Sequence, residues 1–377
     1  MTRRLVALQM DGGPDYVRAV QRIWDDGDAV APLPPSAPPA HLDVLLDTLR
    51  PELLIGPDGD ARAVAGGRGV EDDDALVIAT SGTSGRPKGV VHTHRALEYM
   101  AYATSTALGV SGDVRWLAVL PLNHIGGFSI LPRAMHTGAG LEVHDGFDAD
   151  RVLDAARRGA THTSLVATAL RRVDVSGFQR VLLGGSAIPA DRPDNCVATY
   201  GMTETAGGVV YDGLALNGVA VRIEAPGSDG LGRILVSSPT LMRCYRDDTS
   251  PFDAEGYLPT GDLGLIEPGT GRIRVMGRSD EVIVTGGHKV WPGPVEELLQ
   301  THPRVGDVAV RGRSDPEWGH AVEALVVPGE ASDPPSLAEL RELVKERLPA
   351  YCAPQRLSLV TSLPRTDLGK LRRSQLD

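Results

Sequence analysis

Beginning near residue 75, short apolar runs alternate with longer amphipathic stretches, a rhythm that a chain satisfies by laying down parallel strands and covering them with helices. The pattern predicts strands over 76–80, 116–120, 164–167 and 180–183, and helices over 93–108 and 148–158, the first capped by Thr93. After about residue 218 the rhythm shortens. Residues 219–223 and 233–236 alternate between Gly-rich turns, and 263–267 and 272–276 flank a hairpin turn at 268–271, so a smaller β unit is expected there. Beyond residue 280 come a helix near 294–300, strands near 305–311 and 321–327, and a helix near 337–348. The expected fold is therefore α/β. A large N-terminal domain of mixed sheets flanked by helices, with a β subdomain, would span 1–279, and a small α+β domain 280–377.

A chain of 377 residues has room for two or three compact units, at roughly 150 residues each. Apolar residues make up 42% and charged residues 23%, a balance that excludes wholesale disorder. The formal charge of -11 argues against nucleic acid or an anionic membrane as a partner, while leaving room for a local anion site. Cys196, Cys244 and Cys352 are too scattered for a zinc spacing or a disulfide framework, which points to a reducing, cytoplasmic setting. The start, Arg3 and Arg4 followed by Leu5, Val6, Ala7 and Leu8, resembles the opening of a signal peptide, but Gln9 and Asp11 cut the apolar run short. No stretch approaches the roughly 18 apolar residues of a membrane span. The Pro-rich residues 31–39 and the Gly- and Asp-dense residues 56–74 read as loops at a domain edge, and no internal repeat is present.

Residues 80–89, TSGTSGRPKG, follow the apolar run Ala75, Leu76, Val77, Ile78, Ala79 and have almost nothing to bury. A strand ending in such a loop exposes backbone N–H groups that suit phosphate oxygens; Thr80, Ser81, Thr83 and Ser84 add hydroxyls, and Lys88 adds a charge. The P-loop pattern does not fit, because Lys88 is preceded by Pro87 and followed by Gly89. Taken alone, the stretch also reads as a Ser/Thr/Gly surface turn.

The loop resembles the [ST]-S-G-[ST]-T-G-x-P-K-G signature of the adenylate-forming superfamily of acyl-CoA synthetases, luciferases and peptide-synthetase adenylation domains, with Ser84 where Thr is usual. Further stretches match that superfamily in order: Gly184-Gly185-Ser186; Thr199-Tyr200-Gly201-Met202-Thr203-Glu204-Thr205; residues 257–262, ending in Asp262; residues 277–280 running on to Thr285-Gly286-Gly287-His288-Lys289; and residues 364–370, ending in Lys370. The resemblance implies a carboxylic acid activated by Mg-ATP to an acyl-adenylate, with coenzyme A as the usual acceptor, and a mobile C-terminal domain. It implies that Thr80, Ser81, Gly82, Thr83, Ser84, Gly85 and Lys88 grip the outer phosphates. Thr203 would donate to the α-phosphate and Glu204 would help hold Mg²⁺. Asp262 and Arg278 would bind the ribose, and Gly184, Gly185, Ser186, Tyr200, Gly201 and Met202 would surround adenine. Lys370 would bridge carboxylate and α-phosphate, with Lys289 on phosphate, Asp280 as pivot, and Gly286, Gly287 and His288 along the thiol channel.

The stretch from Pro121 to Arg133 resembles the corresponding one in o-succinylbenzoate:CoA ligases, where an arginine nine residues past the histidine faces the substrate's second carboxylate. His124 and Arg133 are thus the expected acid-binding residues, and the expected activity is an ATP-dependent acid:CoA ligase for o-succinylbenzoate. An adenylation enzyme delivering another aryl or keto acid to a carrier protein or amine shares the first half-reaction and stays open, as does assembly into a homodimer. Zinc and triad hydrolases are disfavoured: His92 and His94 lack an H-E-x-x-H context, and Gly185-Ser186 lacks the G-x-S-x-G elbow.

Overall fold

Strand Asp74–Thr80 is buried on both faces over most of its length, which its unbroken apolar run requires. The computed structural model describes residues 3–80, 87–110, 113–185, 188, 191–365 and 371–376. The expected glycine loop residues Ser81, Gly82, Thr83, Ser84 and Gly85, together with Ser186 and Lys370, lie outside the described residues.

The chain divides into two compact units, residues 1–221 with 236–258, and residues 222–235 with 259–377. The first unit is built on two seven-stranded mixed sheets. One runs in the order Cys244–Tyr245, Lys88–Thr93, Asp74–Thr80, Ala29–Pro32, Leu5–Leu8, Leu53–Ile55, Ala61–Ala63. The other runs Leu214–Ala215, Gly207–Tyr211, Cys196–Met202, Arg180–Leu183, His162–Leu165, Arg115–Ala118, Gly140–Val143. Helices Pro14–Asp25, His94–Leu108 and Ile130–Thr137 share one core with both sheets: Tyr16, Leu97, Met100 and Leu131 pack with Val6, Leu76 and Ile78 of the first sheet and Trp116 and Leu182 of the second. The alternate residues of the first sheet, Leu5, Ala7, Val77 and Val91, face helix Pro39–Leu49 through Leu45 and Leu49. Period-2 alternation thus supplies two cores from one sheet.

The second unit holds a four-stranded sheet, ordered Ala220–Glu224, Gly232–Ser237, Leu258–Ile266, Ile273–Arg278, and a five-stranded one. The latter is centred on the long hairpin of Val305–Asp315 and Gly319–Pro328, flanked by helices Pro292–Leu299 and Leu337–Arg347. Trp291 packs under Gly277 within this unit.

The α/β class expected from the sequence is the observed one. Strand Arg180–Leu183 lies where predicted. Helix His94–Leu108 has Thr93 as its N-cap, the hydroxyl accepting from Ala96 N at 3.1 Å, and helix Ala149–Arg157 is capped in the same way by Asp148. Other boundaries moved. The strand expected at 164–167 is His162–Leu165, because His162, Thr163 and Ser164 are buried polar residues; Thr163 Oγ1 donates to Leu117 O at 2.8 Å. Leu5–Leu8, which looked like an aborted leader, is a fully buried inner strand, and the Pro-rich stretch ends one strand at Pro32 and opens a helix at Pro39. Replacing Thr93 by Ala removes one capping bond and should lower unfolding stability by about 1 kcal/mol, read as a reduced urea midpoint at constant slope.

Candidate active site

Strand Lys88–Thr93 places two residues with different roles at its two ends. His92 is fully buried, and its Nε2 lies 2.7 Å from the carbonyl oxygen of Thr203. A carbonyl only accepts, so Nε2 carries the proton and donates, leaving Nδ1 unprotonated; it has no hydrogen-bond partner among the described residues. Burial pushes the imidazole pKa down to about 4, opposed by the bond to Thr203, so the ring is neutral at physiological pH. The carbonyl of Glu204 is held by Met242 N at 2.8 Å. Thr203–Thr205 form a single 3-10 turn between the antiparallel strands Cys196–Met202 and Gly207–Tyr211. The buried Thr205 hydroxyl closes that turn, accepting from Met202 N at 2.9 Å and lying 2.6 Å from Gly207 O. Ala206 leaves the turn at φ 56, a left-handed conformation that a non-glycine residue adopts at a cost.

Lys88 stands at the other end, exposed, with its Nζ 4.5 Å from the ring centroid of Tyr245. Tyr245 sits on the neighbouring edge strand, paired with Val90, and donates its hydroxyl to Glu204 Oε1 at 3.0 Å. Burial raises the phenol's pKa, with the Glu204 carboxylate adding to it, so Tyr245 remains a donor. The result is a lysine, a phenol and an oriented carboxylate in one row, with Glu204 Oε2 making no hydrogen bond to a described residue. No group of three or more His, Cys, Asp or Glu side chains fit for a metal occurs among the described residues. Mg²⁺ does not need one: it favours one or two carboxylates completed by phosphate oxygens and water, which suits a single positioned Glu204.

Arg133, on helix Ile130–Thr137, is 3% exposed. Its guanidinium lies 5.7 Å from the Trp116 ring, Nε has no hydrogen-bond partner, and no carboxylate pairs with it among the described residues. Burial lowers its pKa, yet an arginine stays charged in a protein. Ser129, four residues earlier on the same face, is also buried with its Oγ unpartnered. Both converge on Gly207: a methyl group added there would lie 3.5 Å from Arg133 Nη2 and 3.7 Å from Ser129 Oγ. His124 precedes the short helix Ile125–Phe128 that leads into this segment.

Gly184 and Gly185 follow strand Arg180–Leu183, and Gly184 lies against the Thr199 side chain of the neighbouring strand, one residue before Tyr200. Tyr200, Gly201 and Met202 complete that strand, with a register shift at Tyr200/Gly201. Gly201 cannot be replaced, since a Cβ would meet Gly207 O at 1.9 Å. Thr80 ends strand Asp74–Thr80, paired with Lys88, so the glycine loop departs from a hydrogen-bonded strand pair.

In the second unit Asp262 and Arg278 are direct register partners, with Arg278 Nη1 3.6 Å from Asp262 Oδ1 and 2.9 Å from Thr260 O. Arg278 Nε also lies 3.4 Å from Asp280. Gly286 and Gly287 form a two-residue hairpin turn with φ 53 and 80, the left-handed pair that such turns require. The turn leads into His288, stacked on Tyr351 with centroids 4.3 Å apart, and Lys289. Contacts between described residues link Lys88 through Tyr245 to Glu204 in the first unit and Arg278 to Asp262 in the second. Sequence reasoning missed Tyr245, His92 and Ser129. Tyr245 belongs to no motif, although an aromatic on a strand antiparallel to the one after the glycine loop is a signal that pairing would have exposed.

A lysine and a phenol from one mixed sheet, meeting a carboxylate on a turn carried by the other, form an arrangement suited to nucleotide phosphates. Residues 61–246 match the family model described as AMP-binding enzyme, and residues 294–370 that of the AMP-binding enzyme C-terminal domain. The chain belongs to the AMP-binding enzyme family. It is similar to a probable 2-succinylbenzoate--CoA ligase of Mycobacterium tuberculosis, 40% identical over 336 residues that cover 82% of this chain and 85% of the relative. Among solved structures it resembles o-succinylbenzoate CoA synthetase from Bacillus subtilis in complex with the acyl-adenylate intermediate OSB-AMP: TM-score 0.88, 27% identity, covering 100% of this chain and 88% of that one. The same enzyme with ATP and magnesium ion gives a TM-score of 0.86 at 27% identity, covering 99% and 90%.

His92 also sets a pH dependence. Unfolded, its imidazole titrates near pH 6.5; folded, near 4. Between those values the unfolded chain binds more protons, so the His92 contribution to stability is complete above pH 6.5 and is lost as pH falls toward 4. Urea midpoints measured from pH 7.5 to 5 should decline on acidification, by at most about 1.4 kcal/mol per pH unit from this group, and His92→Gln should flatten the decline.

Proposed function

We propose that the chain is an ATP-dependent acid:CoA ligase whose acid is o-succinylbenzoate. The observation that carries the choice of acid is Arg133. A guanidinium that is 3% exposed and lacks a carboxylate among the described residues is costly by itself, and a dicarboxylate's second, unreacting carboxylate would complete it bidentately. Ser129 Oγ, unpartnered four residues away, supplies a further donor in the same recess.

The reaction runs in two steps. A carboxylate oxygen attacks the α-phosphorus of ATP, and the bond to the departing pyrophosphate breaks, leaving an acyl-adenylate. The sulfur of coenzyme A then attacks the acyl carbon, loses its proton and expels AMP. In the first step the oxygens of two anions meet, so donors and cations must already be aimed at the accumulating charge. Lys88 and the loop after Thr80 take the outer phosphates, and Thr203 donates to the α-phosphate. Glu204, held by Tyr245, would help hold Mg²⁺, which would supply charge neutralisation at the phosphates. Asp262 accepts from the ribose hydroxyls with Arg278 beside it, while Gly184, Gly185, Ser186 and Tyr200 border adenine. Lys370 bridges the reacting carboxylate and the α-phosphate.

In this reading residues 280–377 move as a lid about Asp280, and Lys289 meets phosphate only in the adenylating pose. Gly286, Gly287 and His288 line the thiol channel in the second. The enzyme works in the cytoplasm on small molecules, with no nucleic-acid or membrane partner and a homodimer as the assembly to test. No helix among the described residues is long and apolar enough to cross a membrane.

ATP–pyrophosphate exchange over a panel of acids, followed by thioester formation with and without CoA, tests the whole scheme. Arg133→Ala, with Arg133→Met to keep the volume, should lower kcat/KM for o-succinylbenzoate by about 100-fold or more and hardly touch a benzoate lacking the second carboxylate. Unchanged turnover of o-succinylbenzoate would defeat the choice of acid. Lys370→Ala should abolish acyl-adenylate formation yet leave thiolysis of supplied acyl-adenylate near the wild-type rate.

A further inference from the structure

Arg133 has its Nε unpartnered and no carboxylate beside it among the described residues, yet it has a definite neighbour: its guanidinium lies 5.7 Å from the centroid of the Trp116 ring, within reach of a cation–π contact. Trp116 belongs to strand Arg115–Ala118 and is wholly buried. Strands pair with it on both sides, through Leu141 on one and His162 on the other. The His162 ring lies against the indole, with centroids 5.1 Å apart and planes tilted by 58°. The indole is thus a fixed surface, whereas an arginine side chain has several rotatable bonds and needs such a surface to settle its direction. Tryptophan is also a costly choice here. Its Nε1 is buried and has no hydrogen-bond partner among the described residues, a penalty that leucine or phenylalanine would avoid at the same position. Packing alone does not account for it. What an indole offers beyond either is the strongest aromatic face for a cation.

We infer that Trp116 is a positioning residue for the choice of acid: its face holds the Arg133 guanidinium toward Gly207, where Ser129 Oγ also converges, so that a substrate's second carboxylate meets a cation already aimed. This rests on the reading of Arg133 as the anchor for that carboxylate. A guanidinium pairs bidentately with a carboxylate only when the two planes match, so a side chain held in place beforehand loses less freedom on binding than one that has to be ordered by the ligand. Trp116 acts through Arg133 and has no part in handling the phosphates, which belongs to Lys88, Tyr245 and Glu204.

The test reads one quantity in the whole enzyme: the ratio of kcat/KM for o-succinylbenzoate to that for a matched acid lacking the second carboxylate. Partial unfolding does not alter this ratio, because both acids report on the same folded molecules. Trp116→Leu should lower it by about 10-fold, and Trp116→Phe, which keeps a weaker face, by less than about threefold. A tryptophan fluorinated on its six-membered ring and placed at residue 116 nearly keeps the volume and weakens the face; it should lower the ratio by about threefold or more, and it decides the matter should Trp116→Leu fail to fold. In an Arg133→Met background, Trp116→Leu should leave the ratio within about twofold, because the two residues act through one contact. A wild-type ratio in Trp116→Leu or in the fluorinated protein, while Arg133→Met collapses it, would overturn the inference alone and reduce Trp116 to a packing residue. A full further loss from Trp116→Leu in the Arg133→Met background would overturn it too, since Trp116 would then act independently of the arginine. An unchanged ratio in Arg133→Met would instead overturn the reading of Arg133 on which the inference rests.

Discussion

The hydrogen bond from His92 Nε2 to the Thr203 carbonyl ties a strand of one sheet of the first unit to a turn carried by the other. Lys88 and Tyr245 come from the first sheet, and Thr203 and Glu204 follow a strand of the second. Without a fixed distance between the sheets, the phenol could not meet the carboxylate while the lysine rests on its ring. A neutral, fully buried imidazole suits this role because it offers one N–H without bringing a charge into the core, and its depressed pKa keeps it so. Met242 N on the Glu204 carbonyl and the Thr205 hydroxyl across the turn add two further fixed points.

Two kinds of cation are set in this frame. Lys88 is exposed and rests on an aromatic face, where water and ring both favour the charge. Arg133 is enclosed, with an indole for company and an idle serine hydroxyl beside it. The first arrangement tolerates an empty site. The second is costly without a counter-charge, which is the differential that the proposed selectivity for a doubly acidic molecule would draw on.

The apolar rhythm made legible those elements whose burial is apolar: strand Arg180–Leu183 and the Thr93-capped helix stand where they were expected. It failed where polar residues are buried. His162, Thr163 and Ser164 belong to an inner strand, where Leu117 O accepts from the Thr163 hydroxyl and the Thr161 hydroxyl pairs with His162, and periodicity weighs hydrophobicity and not hydrogen bonding. It failed also at the N-terminus, where Leu5–Leu8 is too short for any period to register but fills the interior of a sheet. Motifs pointed to Thr203, Glu204, Asp262 and Arg278 as candidates because those residues sit in contiguous signatures. Tyr245 and His92 were hidden because each bonds from one sheet to the turn carried by the other, a long-range fact that no local window contains.

The second unit is assembled from two separated lengths of chain, with residues 236–258 given to the first. During synthesis, strands Ala220–Glu224 and Gly232–Ser237 leave the ribosome well before Leu258–Ile266, the neighbour that gives their sheet its third member. Until that strand emerges, the nascent polypeptide carries an unfinished sheet edge, and such an edge invites pairing with another chain. Tyr245 is made in the same interval. The strand that carries Tyr245 is thus translated while the second unit's sheet is still waiting, which binds the maturation of both units to the single stretch 236–258.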